Sequence, residues 1–276
     1  MNALRWLPCA AIVLGACAGP EVANEAAPQA APSIPIEVLR PEGAGPFPAV
    51  VMLHDCSGLG PRSSGSPRRW GRLLVAEGYV VVIPDSFSTR GLADGVCTNP
   101  DPKRREVGPQ RRRADAHAAL AHARSLPYVD GKRVGVMGGS HGGAATLATM
   151  AARLRTPQDG APFAAGIALY PSCGRPQGTY APLAPLLILA GELDDWTPAD
   201  PCRALADSAR AAGHPVSIKV YPQAHHAFDS DRPVRFVERR VNSNAPGGFG
   251  ATTGGNAAAW ADSIREVKAF FARHLR

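Results

Sequence analysis

The sequence predicts an α/β domain built on a mostly parallel central sheet with helices on both faces. Short continuous apolar runs have the make-up of strands buried on both sides. Longer segments with helical spacing stand between them. The two kinds alternate along the chain, which is the order a parallel sheet requires. With 276 residues, 45% of them apolar and 19% charged, the chain can bury one substantial core and does not have a disordered composition.

In order, Ala49-Val50-Val51-Met52-Leu53 reads as the first buried strand, and Trp70 to Glu77 as a helix. Tyr79 to Ile83 is the next strand, and Gln110 to Ser125 an Ala-rich helix with Leu120 facing inward. Asp130-Gly131 is expected to turn the chain into a strand over Arg133 to Met137. A helix of small and apolar residues follows from Ala144 to Leu154. Strands are expected over Ala164 to Tyr170, Leu186 to Ala190 and Val216 to Tyr221, with a helix over Pro201 to Ala212 between the last two. The stretch Asn242 to Asn256 is rich in Gly and Asn and reads as a long surface loop near the site opening. A final helix covers about Ala257 to His274. No internal repeat or second change of composition divides residues 35–276, which are expected to form one domain.

The N-terminus reads as an export leader over residues 1–17, with Arg5 before an apolar run from Trp6 to Ala16 that is too short to span a bilayer. Its end, Leu14-Gly15-Ala16-Cys17, resembles the lipobox of bacterial lipoprotein signals, in which the cysteine is lipidated. A plain secretory signal cleaved near Ala16 or Ala18 is the alternative. Residues 18–34, rich in Ala and Pro, suit a flexible tether. Membrane contact is then expected only through a lipid on Cys17, and the chain is placed in the bacterial envelope or outside the cell.

The formal net charge of +7 is concentrated partly in Lys103-Arg104-Arg105 and Arg111-Arg112-Arg113. Without interleaved aromatics or zinc-finger spacing, these read as a solvated basic face and not as a nucleic-acid site. Outside the leader stand Cys56, Cys97, Cys173 and Cys202. In an exported domain they invite two disulfides. The order of elements favours Cys56–Cys97 and Cys173–Cys202, since each pair links loops at the ends of neighbouring strands.

Gly138-Gly139-Ser140-His141-Gly142-Gly143 lies between an expected strand and a small-residue helix. In that setting the G-x-S-x-G pattern is a nucleophile elbow, whose glycines let strand and helix approach while the serine hydroxyl is held exposed. A serine needs a base and the base an orienting acid, in the chain order Ser, acid, His. Past the strand ending at Ala190 stand Glu192, Asp194 and Asp195. Past the strand ending at Tyr221 stand His225 and His226. Both sets fall at strand carboxyl ends, where sites in such sheets lie.

Over nearly all of residues 35–276 the chain resembles the dienelactone hydrolase family, in its exported, cysteine-containing branch. The matching features are His54 to Leu59, Pro84-Asp85-Ser86-Phe87 with Arg90, the elbow at Ser140, Gly191-x-x-Asp194 with Pro198, and His226-Ala227-Phe228. The resemblance implies the α/β-hydrolase fold. It selects Asp194 as acid and His226 as base, and gives the backbone N–H groups of His141 and Cys56 as the oxyanion hole, with a Cys56–Cys97 bridge bracing that loop. Asp55 stands where the family often carries an acid near the nucleophile.

The family's best-known members use a cysteine nucleophile and clamp a substrate carboxylate with two arginines. Here Ser140 replaces the cysteine, Arg90 fits the first arginine position as a substrate-binding candidate, and Ser230 occupies the second. The implied activity is hydrolysis of a small-molecule carboxylic ester or lactone through an acyl-Ser140 intermediate, with no metal or organic cofactor. A peptidase or amidase on the same fold is one alternative, and a catalytically idle envelope binding protein another. Dienelactone itself is not the expected substrate, and the sequence leaves the oligomeric state open.

Overall fold

A computed structural model describes Met1 and residues 34–100, 102–174 and 178–276. The chain divides into the units Met1–Pro32 and Ser33–Arg276. Apart from Met1, the expected leader with Cys17 and nearly all of the tether lie outside the described residues.

In the second unit a seven-stranded sheet has the order β1-β3-β2-β4-β5-β6-β7, with strands β1 (Ile36–Leu39), β2 (Phe47–Leu53), β3 (Val80–Pro84), β4 (Val129–Gly139), β5 (Ala165–Leu169), β6 (Leu186–Gly191) and β7 (Val216–Tyr221). β1 pairs antiparallel with β3, in the register Ile36↔Pro84 to Leu39↔Val81, and every other neighbouring pair is parallel. This is the architecture of the α/β-hydrolase fold.

Alternation along β2 shows how the sheet is covered. Ala49, Val51 and Leu53 enter one core with α2 (Pro109–Ser125), α3 (His141–Met150) and α4 (Ala199–Ala211). Val50 and Met52 enter the other, with α1 (Ser66–Ala76) and α5 (Ala257–Leu275). Burying both faces is why β2, β3, β5 and β6 read as apolar runs, as does the part of β4 over residues 134–139. The helices present stripes at helical spacing: Trp70 and Leu74 on α1, and Ala259, Ser263, Val267, Phe271 and Leu275 on α5. The side chain of Asn256 caps α5 by accepting from Ala259 N at 3.0 Å.

Three expectations are corrected. Asp130-Gly131 does not precede its strand: it is a bulge inside β4, where pairing with β2 jumps from Phe47↔Val129 to Ala49↔Val134. The helix expected to reach Leu154 ends at Met150, because Ala151 is extended and bridges Pro182. The stretch 242–256 is not one long loop. β9 (Phe249–Thr253) lies within it and pairs antiparallel with β8 (Arg235–Val241) in a separate two-stranded sheet. Asn242 holds the turn, its Nδ2 donating to Asp195 O at 3.0 Å and Gly250 O at 2.7 Å.

Cys56–Cys97 and Cys173–Cys202 are bonded, across sequence separations of 41 and 29 residues. In the chain-entropy view each contributes about 4 kcal/mol by restricting the unfolded chain. Two such bridges belong to an oxidising compartment. Among the described residues, no helix is long and apolar enough to cross a membrane.

Candidate active site

Ser140 occupies the turn between β4 and α3 at φ 55° and ψ −117°, a conformation that costs a side-chain-bearing residue about 1–3 kcal/mol. The surroundings enforce it. Ser140 N donates to Leu169 O of β5 at 2.9 Å. A Cβ on Gly142 would lie 2.1 Å from Leu53 O, and one on Gly138 2.5 Å from the carbonyl of Gly142. Glycine at these places is what lets the β4–α3 turn press against β2.

The Ser140 hydroxyl donates to His226 Nε2 at 2.9 Å, and His226 Nδ1 donates to Asp194 Oδ2 at 2.8 Å. All three residues are buried, and Ser140 and His226 line the same cavity. Asp194 follows β6 and His226 follows β7, so both come from the end of the sheet that carries Ser140. The carboxylate is fixed from behind: Asp194 Oδ1 accepts from Trp196 N at 2.9 Å and Thr197 N at 2.8 Å. Thr197 Oγ1 donates to Oδ2 at 2.9 Å and lies 2.9 Å from His226 Nδ1. The imidazole packs against the rings of Trp196, 4.6 Å away, and Tyr170, 4.8 Å away.

The competing candidates are engaged elsewhere. Asp195 accepts from Thr252 N at 2.8 Å and Thr252 Oγ1 at 2.7 Å, anchoring β9. Glu192 accepts from Gln223 N at 3.2 Å, and His225 Nδ1 donates to Leu193 O at 2.9 Å. His54 and His141 are also unsuited to be the base. His54 Nε2 accepts from Ser86 N at 3.1 Å, and burial followed by the nearby Arg112 charge holds its pKa well below the ordinary value. His141 Nδ1 accepts from Arg112 Nη1 at 2.8 Å, and burial with the same charge pushes its pKa down to about 3. Both imidazoles are therefore neutral struts.

His141 is the first residue of α3, so its N–H has no acceptor within the helix. Cys56 lines the cavity beside Ser140, as does Cys97. The loop carrying Cys56 is held by the disulfide, by Val96 N donating to Cys56 O at 2.7 Å, and by Asp55. Asp55 Oδ1 accepts from Ser57 N at 2.7 Å and Ser57 Oγ at 2.5 Å, and its Oδ2 accepts from Ser64 Oγ. Asp55 lies close to both sulfurs, the one such grouping of metal-capable residues among the described residues, but the disulfide withdraws the thiolates a metal would take.

Arg90 requires a correction. It does not line the cavity: its guanidinium is bound in two-pronged fashion to buried Asp115, at 2.8 and 2.9 Å, and also donates to Ser86 O. Ser230 does line the cavity.

Several residues absent from the sequence reading hold this centre. Thr197 lies inside the Gly191–Pro198 segment, where its hydroxyl gave no distinct signal. Asp229 is buried two residues after Ala227. It accepts from Tyr170 OH at 2.9 Å, Trp70 Nε1 at 2.7 Å and Ser66 Oγ at 2.9 Å, tying the His226 loop to α1. The β8–β9 hairpin grips the loops that carry Asp194 and His226. Val241 N donates to Cys97 O at 3.0 Å, Trp196 Nε1 to Val241 O at 2.9 Å, and Gly254 N to His226 O at 3.0 Å. The hairpin thereby becomes one wall of the cavity above Ser140.

Residues 34–275 match the model of the dienelactone hydrolase family. A curated relative from Methylorubrum extorquens, named "Putative carboxymethylenebutenolidase", is 28% identical over 215 residues, covering 72% of this chain and 69% of the relative. Among solved structures, a dienelactone hydrolase-like protein from Klebsiella pneumoniae aligns with a TM-score of 0.63 at 23% identity, over 87% of this chain and 93% of that one. Apo esterase 2 of Thermogutta terrifontis aligns with a TM-score of 0.60 at 19% identity, over 86% and 88%. At such identities the two structural likenesses speak to the fold alone.

Proposed function

The chain belongs to the dienelactone hydrolase family, and from that premise we propose that it is a serine hydrolase cleaving carboxylic esters or lactones through an acyl-Ser140 intermediate. One observation carries the reading. The hydrogen bonds from Ser140 Oγ to His226 Nε2 and from His226 Nδ1 to Asp194 run unbroken, at 2.9 and 2.8 Å.

The chemistry follows from that relay. With Nδ1–H directed at Asp194, the Nε2 lone pair faces the serine hydroxyl and takes its proton as Oγ attacks the carbonyl carbon. The N–H groups of His141 and Cys56 hold the resulting oxyanion, each contributing about 3 kcal/mol of barrier lowering. As the tetrahedral adduct collapses, the C–O bond to the alcohol breaks and His226 returns the proton to the leaving oxygen. Water then repeats the sequence on the acyl-enzyme, freeing the acid and regenerating Ser140. In a lactone the leaving alcohol remains part of the acyl chain, so no product departs in the first half and water then frees a single hydroxy acid.

The two disulfides and the leader motif support export, with residues 35–276 as the catalytic domain and Cys17 as the lipid anchor. A mature N-terminus that is unmodified and starts elsewhere than Cys17 would refute the anchor.

Hydrolysis of p-nitrophenyl esters of increasing acyl length, measured beside peptide p-nitroanilides, tests the reaction class. Esters are expected to be turned over far faster than anilides. Turnover of anilides alone would favour a peptidase, and turnover of neither would leave only a binding role on the scaffold.

A further inference from the structure

Four arginines, Arg69, Arg232, Arg235 and Arg240, line the catalytic cavity, against two aspartates, Asp55 and Asp229. Both carboxylates already have partners. Asp55 is bound by Ser57 and Ser64, while Asp229 is bound by Tyr170, Trp70 and Ser66 and has Arg69 Nη2 on its carbonyl at 2.7 Å. The guanidiniums of Arg232, Arg235 and Arg240 form no ion pair or hydrogen bond among the described residues. Elsewhere exposed arginines do find carboxylates, as Arg210 finds Asp207 and Arg265 finds Asp262.

Arg240 departs most from a solvated surface charge. Its planar group lies over the Trp196 ring at 4.9 Å, and its Nε is buried with no acceptor. Burial lowers its pKa, Asp55 opposes the shift, and the like charges of Arg235 and Arg232 reinforce it. A buried N–H left unmade is costly, and the exposed Arg232 and Arg235 add two like charges beside half-buried Arg240. An anion between them would satisfy that N–H and offset the repulsion. A single carboxylate would leave part of the cluster unanswered, so the better match carries two or more negative groups.

The geometry points to a polyanionic substrate: an ester with at least two carboxylate or phosphate groups besides the scissile bond, held by Arg235 and Arg240 of β8 and by Arg232 just before it while its carbonyl reaches Ser140. This specificity rests on the esterase reading. The set is distinct from Arg90, whose charge is answered by Asp115, and from Ser230, which has none.

Two substrate series test it on the full chain. Phenyl acetate, 3-acetoxybenzoate and 5-acetoxyisophthalate add charge to the alcohol part. p-Nitrophenyl butyrate, mono-p-nitrophenyl glutarate and mono-p-nitrophenyl tricarballylate add it to the acid part. After correction for intrinsic hydroxide reactivity, kcat/KM is expected to rise about tenfold per charge in one series. That rise should shrink at high salt. Arg235→Gln and Arg240→Gln should each reduce the anionic-to-neutral ratio by about tenfold, whereas Arg203→Gln on α4 should leave it intact. A flat response in both series, or a ratio indifferent to the hairpin variants, overturns the inference while leaving the esterase reading standing.

If no ester is hydrolysed, the esterase reading falls, and calorimetry with tricarballylate and with pyrophosphate decides the inference. Binding of either that weakens about tenfold in Arg235→Gln supports the anion site, and the tighter of the two identifies its chemistry. Absence of binding by both overturns it.

Discussion

Replacing Ser140 with alanine is expected to lower kcat for p-nitrophenyl acetate by about 10⁵- to 10⁶-fold, the scale seen when a nucleophile that acts as a unit with its base is removed. The size follows from what remains. Alanine keeps the cavity, the oxyanion donors and binding, but leaves His226 with no hydroxyl to activate at 2.9 Å. Residual catalysis over water, about 10³-fold, should come from those donors. Folding should survive, since the change removes one atom from a turn held by Ser140 N to Leu169 O and by the close approach of Gly142 to Leu53. An unchanged melting temperature beside the lost activity separates chemistry from stability. A rate within tenfold of wild type would remove Ser140 from the mechanism.

The second large effect distinguishes neighbours. Asp194→Asn is expected to lower kcat by about 10⁴-fold with little change in KM. Asparagine keeps the shape but can turn its NH₂ toward His226 Nδ1. That favours the tautomer with a proton on Nε2, which cannot accept from Ser140. Asp195→Asn should cost less than about tenfold, because that side chain serves Thr252 at the base of β9 and touches no member of the relay. Measuring both variants in one assay checks the assignment: the reverse pattern would transfer the acid role to Asp195.

The legible parts of this molecule are those set by periodicity and chain order. β2, β3, β5 and β6 are buried on both faces, so each is an apolar run, and the same holds for residues 134–139 of β4. The elbow is legible because close packing of β4, α3 and β2 leaves no room for a Cβ at Gly138 or Gly142. Asp194 and Asp195 were not separable by spacing alone. What separates them is that Trp196 N and Thr197 N turn back onto Asp194 while Asp195 faces a strand distant in sequence.

The hairpin was illegible for a different reason. β8 reads Arg235-Phe236-Val237-Glu238-Arg239-Arg240-Val241, a charged run whose alternation is broken by an irregular register between Val237 and Val241. Its partner β9 is short and follows a Gly/Asn-rich tip. Such a strand is fixed by tertiary contacts with Cys97, Trp196 and His226 and not by propensity. Two of its arginines, Arg235 and Arg240, line the cavity. No sequence pattern announced that cluster, and Arg90, which matched a family position, proved to be held by Asp115 on α2.

The central claim is that Ser140 is the nucleophile, and the most direct measurement is the site of covalent capture by diisopropyl fluorophosphate. The full chain is treated until esterase activity is lost, digested, and mapped by tandem mass spectrometry. One adduct per chain is expected, on the peptide containing Ser140, in proportion to the activity lost and absent from Ser140→Ala. Complete inactivation with the adduct on another residue, or full activity persisting in a chain modified at Ser140, would contradict the account.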